Sequence, residues 1–141
     1  MRSVNAAAVI VSFTIAMTVC GCGKLRTTTG PATVPVRGKV VFTRGGTVKA
    51  LADKQARIEL ESVDQPGVRA LGPIQEDGSF EVATVTPEGS NTGAVPGKHR
   101  VRLDLEDNAA RLVAPQFLDF VKSGITITLP SDQPVEVKVW R

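Results

Sequence analysis

The segment Lys98-His99-Arg100-Val101-Arg102-Leu103-Asp104-Leu105-Glu106 carries the clearest information on the fold of this chain. A histidine and three aliphatic residues occupy every second position, and charged residues occupy the positions between them. Successive side chains of a β-strand point to opposite faces, so this alternation predicts a strand with one buried and one solvated face. Strands of this kind are typical of antiparallel sheets that face water on one side.

Shorter runs of the same alternation flank this strand on both sides. They are Val36 to Phe42, Ala56 to Glu61, Val68 to Ile74, Phe80 to Thr84, Ile125 to Leu129 and Val135 to Val139. No stretch after the N-terminal segment has helical periodicity over ten or more residues. The sequence therefore predicts an all-β fold, a single antiparallel β-sandwich of about seven strands.

Turn residues separate these runs. Glu76-Asp77-Gly78 predicts a hairpin, because Asp-Gly supplies the positive φ angles of a type I′ turn. Pro130-Ser131-Asp132 predicts a final hairpin between the last two strands. The segment from Thr86 to Gly97 contains two prolines and three glycines, which predicts the longest loop of the domain. One helical turn is expected around Asn108 to Leu112.

The N-terminal segment resembles a bacterial lipoprotein signal peptide. Arg2 provides a charged start, and the fourteen residues from Ala6 to Val19 form an apolar run that is too short to cross a bilayer as a helix. Gly21-Cys22 matches the small residue and cysteine of such signals. We expect a signal helix and cleavage after residue 21, with Cys22 lipidated; Cys20 is the alternative acylation site.

These features divide the chain into three parts. Residues 1–21 are the predicted signal peptide, and residues 22–33 are the predicted lipidated cysteine and a flexible tether rich in Thr, Gly and Pro. Residues 34–141 are the predicted β-sandwich domain. Removal of 21 of the 141 residues leaves 120, which is enough for one domain and too few for two. We expect an exported protein held at a membrane of the bacterial cell envelope by its lipid.

Charge and cysteine content exclude several classes of protein. The formal net charge is +3, and it falls by one to +2 when Arg2 leaves with the signal. Opposite charges are interspersed, so nucleic acid is not an expected partner. A disulfide between Cys20 and Cys22 is disfavoured because residues two apart rarely meet disulfide geometry. Lipidation of Cys22 would leave the mature chain without a cysteine pair, and the fold would depend on its core.

The sequence predicts no catalytic residue, no metal site and no cofactor. His99, the only histidine, occupies the apolar side of its strand, which favours a packing role over that of a general base. One histidine and one acylated cysteine cannot form the usual zinc sites, and no Gly-x-Ser-x-Gly motif occurs. The Glu76-Asp77 pair leads straight into a strand and fits a hairpin better than a calcium loop.

Three features remain as candidate binding surfaces. Trp140 lies on the side opposite Val137 and Val139, where it either caps the sandwich or is exposed as a platform for a ligand. Lys98, Arg100 and Arg102 form a basic stripe, interpreted as a solvated strand face. The central part of the long loop is the candidate surface for a partner, since loops at sandwich ends often make contacts. Its residues are Glu88, Gly89, Ser90, Asn91, Thr92, Gly93, Ala94 and Val95.

Four motifs in order give the domain a family resemblance. They are Val36-Arg37-Gly38-Lys39-Val40, Glu76-Asp77-Gly78-Ser79-Phe80, the segment from Gly93 to Val101, and Ser123-Gly124-Ile125. With the signal segment, they resemble small planctomycete-type lipoproteins whose domain is similar to the carboxypeptidase regulatory-like, or transthyretin-like, β-sandwich. The resemblance covers Val34 to Arg141. Two departures are an insertion from Thr47 to Gln55 and His99 at a position where the family often has an aromatic residue.

This resemblance implies a fold and transfers no catalytic residue, because fold alone does not specify function. We expect a non-catalytic, membrane-anchored envelope module with a binding or structural role, whose partner is an envelope protein or a glycan. A carbohydrate- or small-ligand-binding module of the cell surface is the alternative. A small hydrolase with His99 at the floor of a pocket is the third hypothesis.

Overall fold

Strands are the main regular structure in the part of the chain that the computed structural model describes, residues 30–141. This range holds nine strands: β1 (Arg37–Arg44), β2 (Arg57–Ser62), β3 (Arg69–Pro73), β4 (Ser79–Glu81), β5 (Ala83–Thr86), β6 (Gly89–Thr92), β7 (Gly97–Asp104), β8 (Thr126–Leu129) and β9 (Val135–Trp140). It also holds one α-helix, α1 (Val48–Asp53), and two 3₁₀ helices, Ala110–Leu112 and Pro115–Leu118. None of these helices is long and apolar enough to cross a membrane. The predictions for the signal segment, Cys20 and Cys22 lie outside the described residues.

The strands form two sheets, an arrangement consistent with the predicted all-β sandwich. The smaller sheet has the order β4-β1-β9 and the larger has the order β6-β5-β3-β2-β7-β8. Neighbouring strands are antiparallel except β1 and β9, which run parallel from Gly38 opposite Val135 to Phe42 opposite Val139. The expectation of about seven antiparallel strands was thus wrong in strand number and for this one pair.

Alternating aliphatic residues of both sheets fill the core, as the sequence pattern predicted. Val101 and Leu103 of β7 are buried, and so are Ile58 and Leu60 of the neighbouring β2. Val137 of β9 reaches the same cluster from the smaller sheet. Burying apolar side chains from two sheet faces removes them from water, which is the main favourable contribution to the stability of such a fold.

The run from Phe80 to Thr84, predicted as one strand, belongs to two sheets. Phe80 lies in β4 of the smaller sheet and Thr84 in β5 of the larger, and the buried Val82 lies between them. At this crossing, β3 approaches the backbone so closely that a Cβ on Gly72 would lie 1.8 Å from the carbonyl oxygen of Glu81. The glycine in β3 is therefore explained by a close approach of backbones.

The turn at Glu76-Asp77-Gly78 is present, but it is not type I′. A type I′ turn requires positive φ at both central residues. Gly78 has φ +88°, whereas Gln55 is the only non-glycine residue among those described with a positive φ. The Asp77 side chain instead accepts hydrogen bonds from the Ser79 backbone at 2.9 Å and hydroxyl at 2.7 Å. These bonds form an Asx turn from Asp77 to Ser79, with Gly78 as its middle residue.

The predicted hairpin between the last two strands does not form. β8 pairs with β7 in the larger sheet, and β9 pairs with β1 in the smaller. The segment 130–134 therefore connects the two sheets. The alternation along each strand correctly located its buried side, but it carries no information about which strand lies beside it.

The segments without a clear alternation also differ in part from expectation. The predicted loop from Thr86 to Gly97 contains β6, because Pro87 and Glu88 form a two-residue turn that pairs Thr86 with Gly89. The insertion from Thr47 to Gln55 contains α1, whose first turn is capped by the Thr47 hydroxyl. The helical turn expected around Asn108 to Leu112 corresponds to the first 3₁₀ helix.

Candidate functional site

The proposed partner surface, residues 88–95, consists of the end of the β5–β6 turn, the strand β6 and the three residues that follow it. Glu88, Gly89, Ser90 and Thr92 are exposed, and Asn91 is half-buried. The remaining three residues, Gly93, Ala94 and Val95, are buried, so they cannot contribute side chains to a surface. The structure therefore limits the accessible part of this candidate surface to Glu88–Thr92, which we call the hairpin tip.

The incoming chain meets the domain beside this hairpin tip. The Thr33 hydroxyl donates a 2.8 Å hydrogen bond to the carbonyl oxygen of Thr92. Val34 and Ala94 form a two-way backbone pair, with N···O distances of 2.8 and 3.0 Å. The segment N-terminal to the domain thus joins it next to the candidate surface.

A cleft of about 600 Å³ lies on a different part of the domain, where α1 meets the ends of β2, β3 and β7. Its charged and amide-bearing lining residues are Asp53, Gln55, Arg57, Gln75, Glu76, Asp104 and Glu106. The Lys49 ammonium bridges Asp53 and Glu76 at 3.2 Å each, and these hydrogen bonds raise the pKa of Lys49. Arg57 pairs with Asp104 at 2.9 Å.

These contacts limit the chemistry that the cleft can perform. Three of its four carboxylates already bind a cation of the chain, and the described residues that line it include no serine, cysteine or histidine. Across residues 30–141, no group of three or more His, Cys, Asp and Glu residues is placed to hold a metal ion. The cleft therefore offers hydrogen-bonding groups to a polar molecule.

His99 lies in the core, away from the residues that line this cleft. Only 1% of the residue is exposed, and its Nδ1 lies 3.2 Å from the carbonyl oxygen of Gly97. Burial lowers the pKa of His99, an effect opposed by this hydrogen bond and by the charge of Asp64. Because only 1% of the residue is exposed, the His99 ring packs among buried side chains and is shielded from solvent.

Trp140 packs against the core, as the capping interpretation predicts. Its ring meets the ring of Phe117 edge to face, with centroids 4.6 Å apart. The Arg44 guanidinium lies 5.6 Å from the Trp140 ring centroid. The ring is thus half-buried and already contacted by two side chains, which leaves less of its surface for stacking on a sugar.

The outer face of the larger sheet carries a network of ion pairs that sequence reasoning missed. Arg102 of β7 pairs with Glu59 of β2, and both side chains are largely buried, at 29% and 10% exposure. Phe120 lies against the guanidinium groups of Arg102 and Arg69, at 4.7 and 5.1 Å from its centroid. The interpretation of the basic stripe as a solvated face is therefore wrong for Arg102.

The sequence contained a signal for this network, but the strand register was needed to interpret it. The charges of β2 read Arg57, Glu59, Glu61, and β7 places Asp104, Arg102 and Arg100 directly opposite them. Two of these positions form ion pairs, Arg57 with Asp104 and Arg102 with Glu59, and such cross-strand pairs stabilise a sheet. At the third position, Glu61 binds Arg69 of β3 and not Arg100. Without the register, the same charges look like two independent solvated strand faces.

Comparisons of the chain with protein-family models, with curated proteins and with solved structures find no match.

Proposed function

We propose that this chain is a non-catalytic, lipid-anchored module of the bacterial cell envelope that binds a partner or serves a structural role. In this proposal Cys22 carries the lipid, residues 22–33 form the tether, and the β-sandwich, which we propose to be transthyretin-like, presents the hairpin tip to the partner. Each buried methylene of an acyl chain contributes about 0.8 kcal/mol to membrane binding. A single chain still binds only marginally, so stable anchoring needs more than one.

The observation that carries this proposal is the connection between the N-terminal segment and the domain. The sequence up to Cys22 resembles a lipoprotein signal, and the chain after it joins the domain at Val34 beside the hairpin tip. A domain tethered at this point holds its hairpin within reach of other envelope components. The engaged carboxylates of the cleft and the buried His99 favour a binding role over catalysis.

Fractionation of the producing cells tests the anchor. The full chain should sediment with membranes, and Cys22→Ala should release it, because the acylated thiol is the only lipid attachment proposed. Cys20→Ala is the matched control and should leave the protein with the membrane. If Cys20→Ala releases it and Cys22→Ala does not, the lipid is on Cys20; if neither variant does, the lipid anchor is wrong.

Crosslinking in the same cells tests the partner surface. The tagged full chain should capture one protein or one glycan, and Ser90→Arg at the hairpin tip should reduce that capture without changing the thermal stability of the domain. Gln65→Arg, an exposed change in the β2–β3 connection, is the control and should have no effect. Capture of a glycan would favour the carbohydrate-binding alternative, and equal capture by both arginine variants would contradict a role for the hairpin tip.

A further inference from the structure

Sheet edges expose unpaired backbone groups, and three of the four edge strands formed by residues 30–141 have some protection. β4 is only three residues long, and its Glu81 is bound by Arg37 at 2.7 Å. β9 carries the exposed charges Glu136 and Lys138. At the end of β6, Thr33 of the incoming chain binds the Thr92 carbonyl. Short length, charged side chains and covering segments are the usual ways in which proteins protect edges from added strands.

The fourth edge strand, β8, has none of this protection from the described part of the chain except its short length. The segment from Gly124 to Leu129 contains no charged residue and no proline. Its two outward-facing side chains, Thr126 and Thr128, are exposed. Threonine favours extended backbone, so this edge is pre-formed for pairing with another strand.

The hydrogen-bond pattern places free backbone groups at Thr126 and Thr128. The Val101 amide donates to the Ile125 carbonyl at 3.1 Å. Hydrogen-bonded and non-hydrogen-bonded pairs alternate along an antiparallel ladder, so Ile125, Ile127 and Leu129 bond to β7. The amides and carbonyls of Thr126 and Thr128 therefore point away from β7. Within residues 30–141, no backbone hydrogen bond outside the sheet ladders involves either threonine.

The other side of β7 supports the same assignment independently. The Val63 amide donates to the Lys98 carbonyl at 2.8 Å, so Lys98 directs its backbone groups towards β2. Lys98 lies opposite Thr128 in the register. Because Lys98 does not bond to β8, Thr128 has no partner on that side and its backbone groups face the open edge.

Two unpaired cations lie beside this edge. Lys98 and Arg100 are exposed and lie opposite Thr128 and Thr126 on the outer face. Neither forms an ion pair with a described residue, whereas Arg57, Arg69 and Arg102 on the same face each bind a carboxylate.

We propose that the β8 edge binds an extended acidic segment of a partner protein by strand addition. The backbone of that segment pairs with Thr126 and Thr128, and carboxylates at alternate positions of the segment meet Lys98 and Arg100. The intervening threonines are short, so the longer basic side chains can lean over them towards the added strand. This inference goes beyond the proposed function, because β8 and the hairpin tip lie at opposite edges of the larger sheet and the partner binds here at the β8 edge.

The charges favour an acidic partner over a second copy of this chain. The β8 strand of a second copy would bring two threonines and no carboxylate to the shared edge. It would also bring its own Lys98 and Arg100 to the same face, which leaves all four cations unpaired. An acidic strand supplies both the backbone partners and the opposite charges, and main-chain pairing combined with side-chain recognition is the general mode of strand addition.

Peptide titration against the full chain in non-ionic detergent tests this proposal. The probe is a short capped peptide in which glutamate alternates with valine, and its partner probe replaces each glutamate with lysine. The glutamate peptide should bind and the lysine peptide should not. Lys98→Gln with Arg100→Gln should weaken binding about tenfold or more, as expected for the loss of two charge contacts. Lys39→Gln with Lys54→Gln removes the same charge elsewhere and should have little effect.

Two further probes separate strand pairing from general attraction of charges. Thr126→Pro removes an amide that the fold does not use and should abolish binding, because an added strand needs that donor. Should Thr126→Pro fail to fold, the glutamate peptide N-methylated at alternate amides, tested on the unaltered protein, gives the same information and should not bind. Equal binding of the N-methylated and unmethylated peptides, equal binding of the lysine peptide, or no binding of the glutamate peptide would overturn the proposal.

The outcome of the peptide-binding experiment is independent of the membrane-fractionation test of the proposed function. Membrane release by Cys22→Ala depends on the anchor alone, and peptide binding depends on the β8 edge alone. Loss of peptide binding with an intact anchor would reject the acidic partner and leave the envelope module in place. If neither cysteine variant is released from the membrane and peptide binding is intact, the lipid anchor is rejected and the proposed strand addition at β8 is retained.

Discussion

His99 illustrates how one residue can look catalytic by type and structural by position. The chain has one histidine, and its ring is enclosed on the inner face of β7. The contact between Nδ1 and the Gly97 carbonyl oxygen requires a proton on Nδ1, since a carbonyl can only accept. Burial disfavours the imidazolium form, so the folded state holds a neutral ring at neutral pH.

This burial predicts a pH-dependent stability with a defined direction. The folded pKa of His99 is lowered, so below about pH 6.5, the usual histidine value, the unfolded chain binds the proton more readily. The contribution is complete above that pH, and the free energy of unfolding falls as the pH drops towards the folded pKa. Urea unfolding at several pH values between 7.5 and 5.5 should show this fall in the native chain.

His99→Leu provides the comparison. Its free energy of unfolding should change less over the same range, because leucine does not titrate. Asp77 and Asp119 have pKa values lowered by hydrogen bonds from Ser79 and from the amides of Lys122 and Val121, so their effects lie at more acidic pH. An equal pH dependence in both proteins would contradict the assignment of this effect to His99.

Pairs of elements, and not single strands, determine how the charges of this domain are used. β2 and β7 align Arg57 with Asp104 and Glu59 with Arg102 on the outer face. Phe120, from the turn after the second 3₁₀ helix, packs on Arg102 and reduces the exposure of its ion pair. A pair this far from water is costly to break, because removing one partner leaves the other charge poorly solvated.

Two matched arginine variants test whether a buried ion pair contributes more to stability than an exposed one. Arg102→Met should lower the free energy of unfolding by about 3 kcal/mol, because Glu59 would stay largely buried without a partner. Arg37→Met breaks the exposed pair with Glu81 and should cost less than about 1 kcal/mol. Denaturant titrations of the two variants give both values. Adding Glu59→Gln to Arg102→Met should recover part of the loss; similar costs for the two arginine variants would contradict the proposed importance of burial.

At the scale of the whole molecule, the first and last strands of the domain hold each other in place. β1 and β9 lie at opposite ends of the domain sequence and pair in parallel in the smaller sheet. Val40 and Val137 face each other in this register, and both are fully buried. Neither strand can leave without exposing apolar surface of the other, so the ends of the domain should unfold together.

Native-state hydrogen exchange measures this coupling. The hydrogen-bonded amides of β1 and β9 should exchange with the same free energy, close to that of global unfolding, because both strands open only when the core opens. Amides of β6, a short and exposed edge strand, should exchange through smaller local openings. Exchange of β9 at a markedly lower free energy than β1 would mean that the C-terminal strand opens independently.

Local sequence determined the positions of most strands and the side of each that is buried. The alternation from Val101 to Asp104 can be recognised from adjacent residues alone, because the side-chain period of a strand is a property of its own backbone. The hairpin tip was treated as loop because glycine, serine and asparagine in β6 have little strand propensity; their pairing with β5 overrides it.

Tertiary structure alone decided which strands are neighbours. Strand register and sheet order determine four features of this domain. They are the crossing at Val82, the parallel pairing of β9 with β1, the ion pair between Glu59 and Arg102 and the open edge at Thr126. A strand with an alternating pattern can pair with any strand that buries the same face, so local sequence does not specify which strands become neighbours. The neighbours are determined by the packing of two sheets into one core, which depends on residues far apart in the chain.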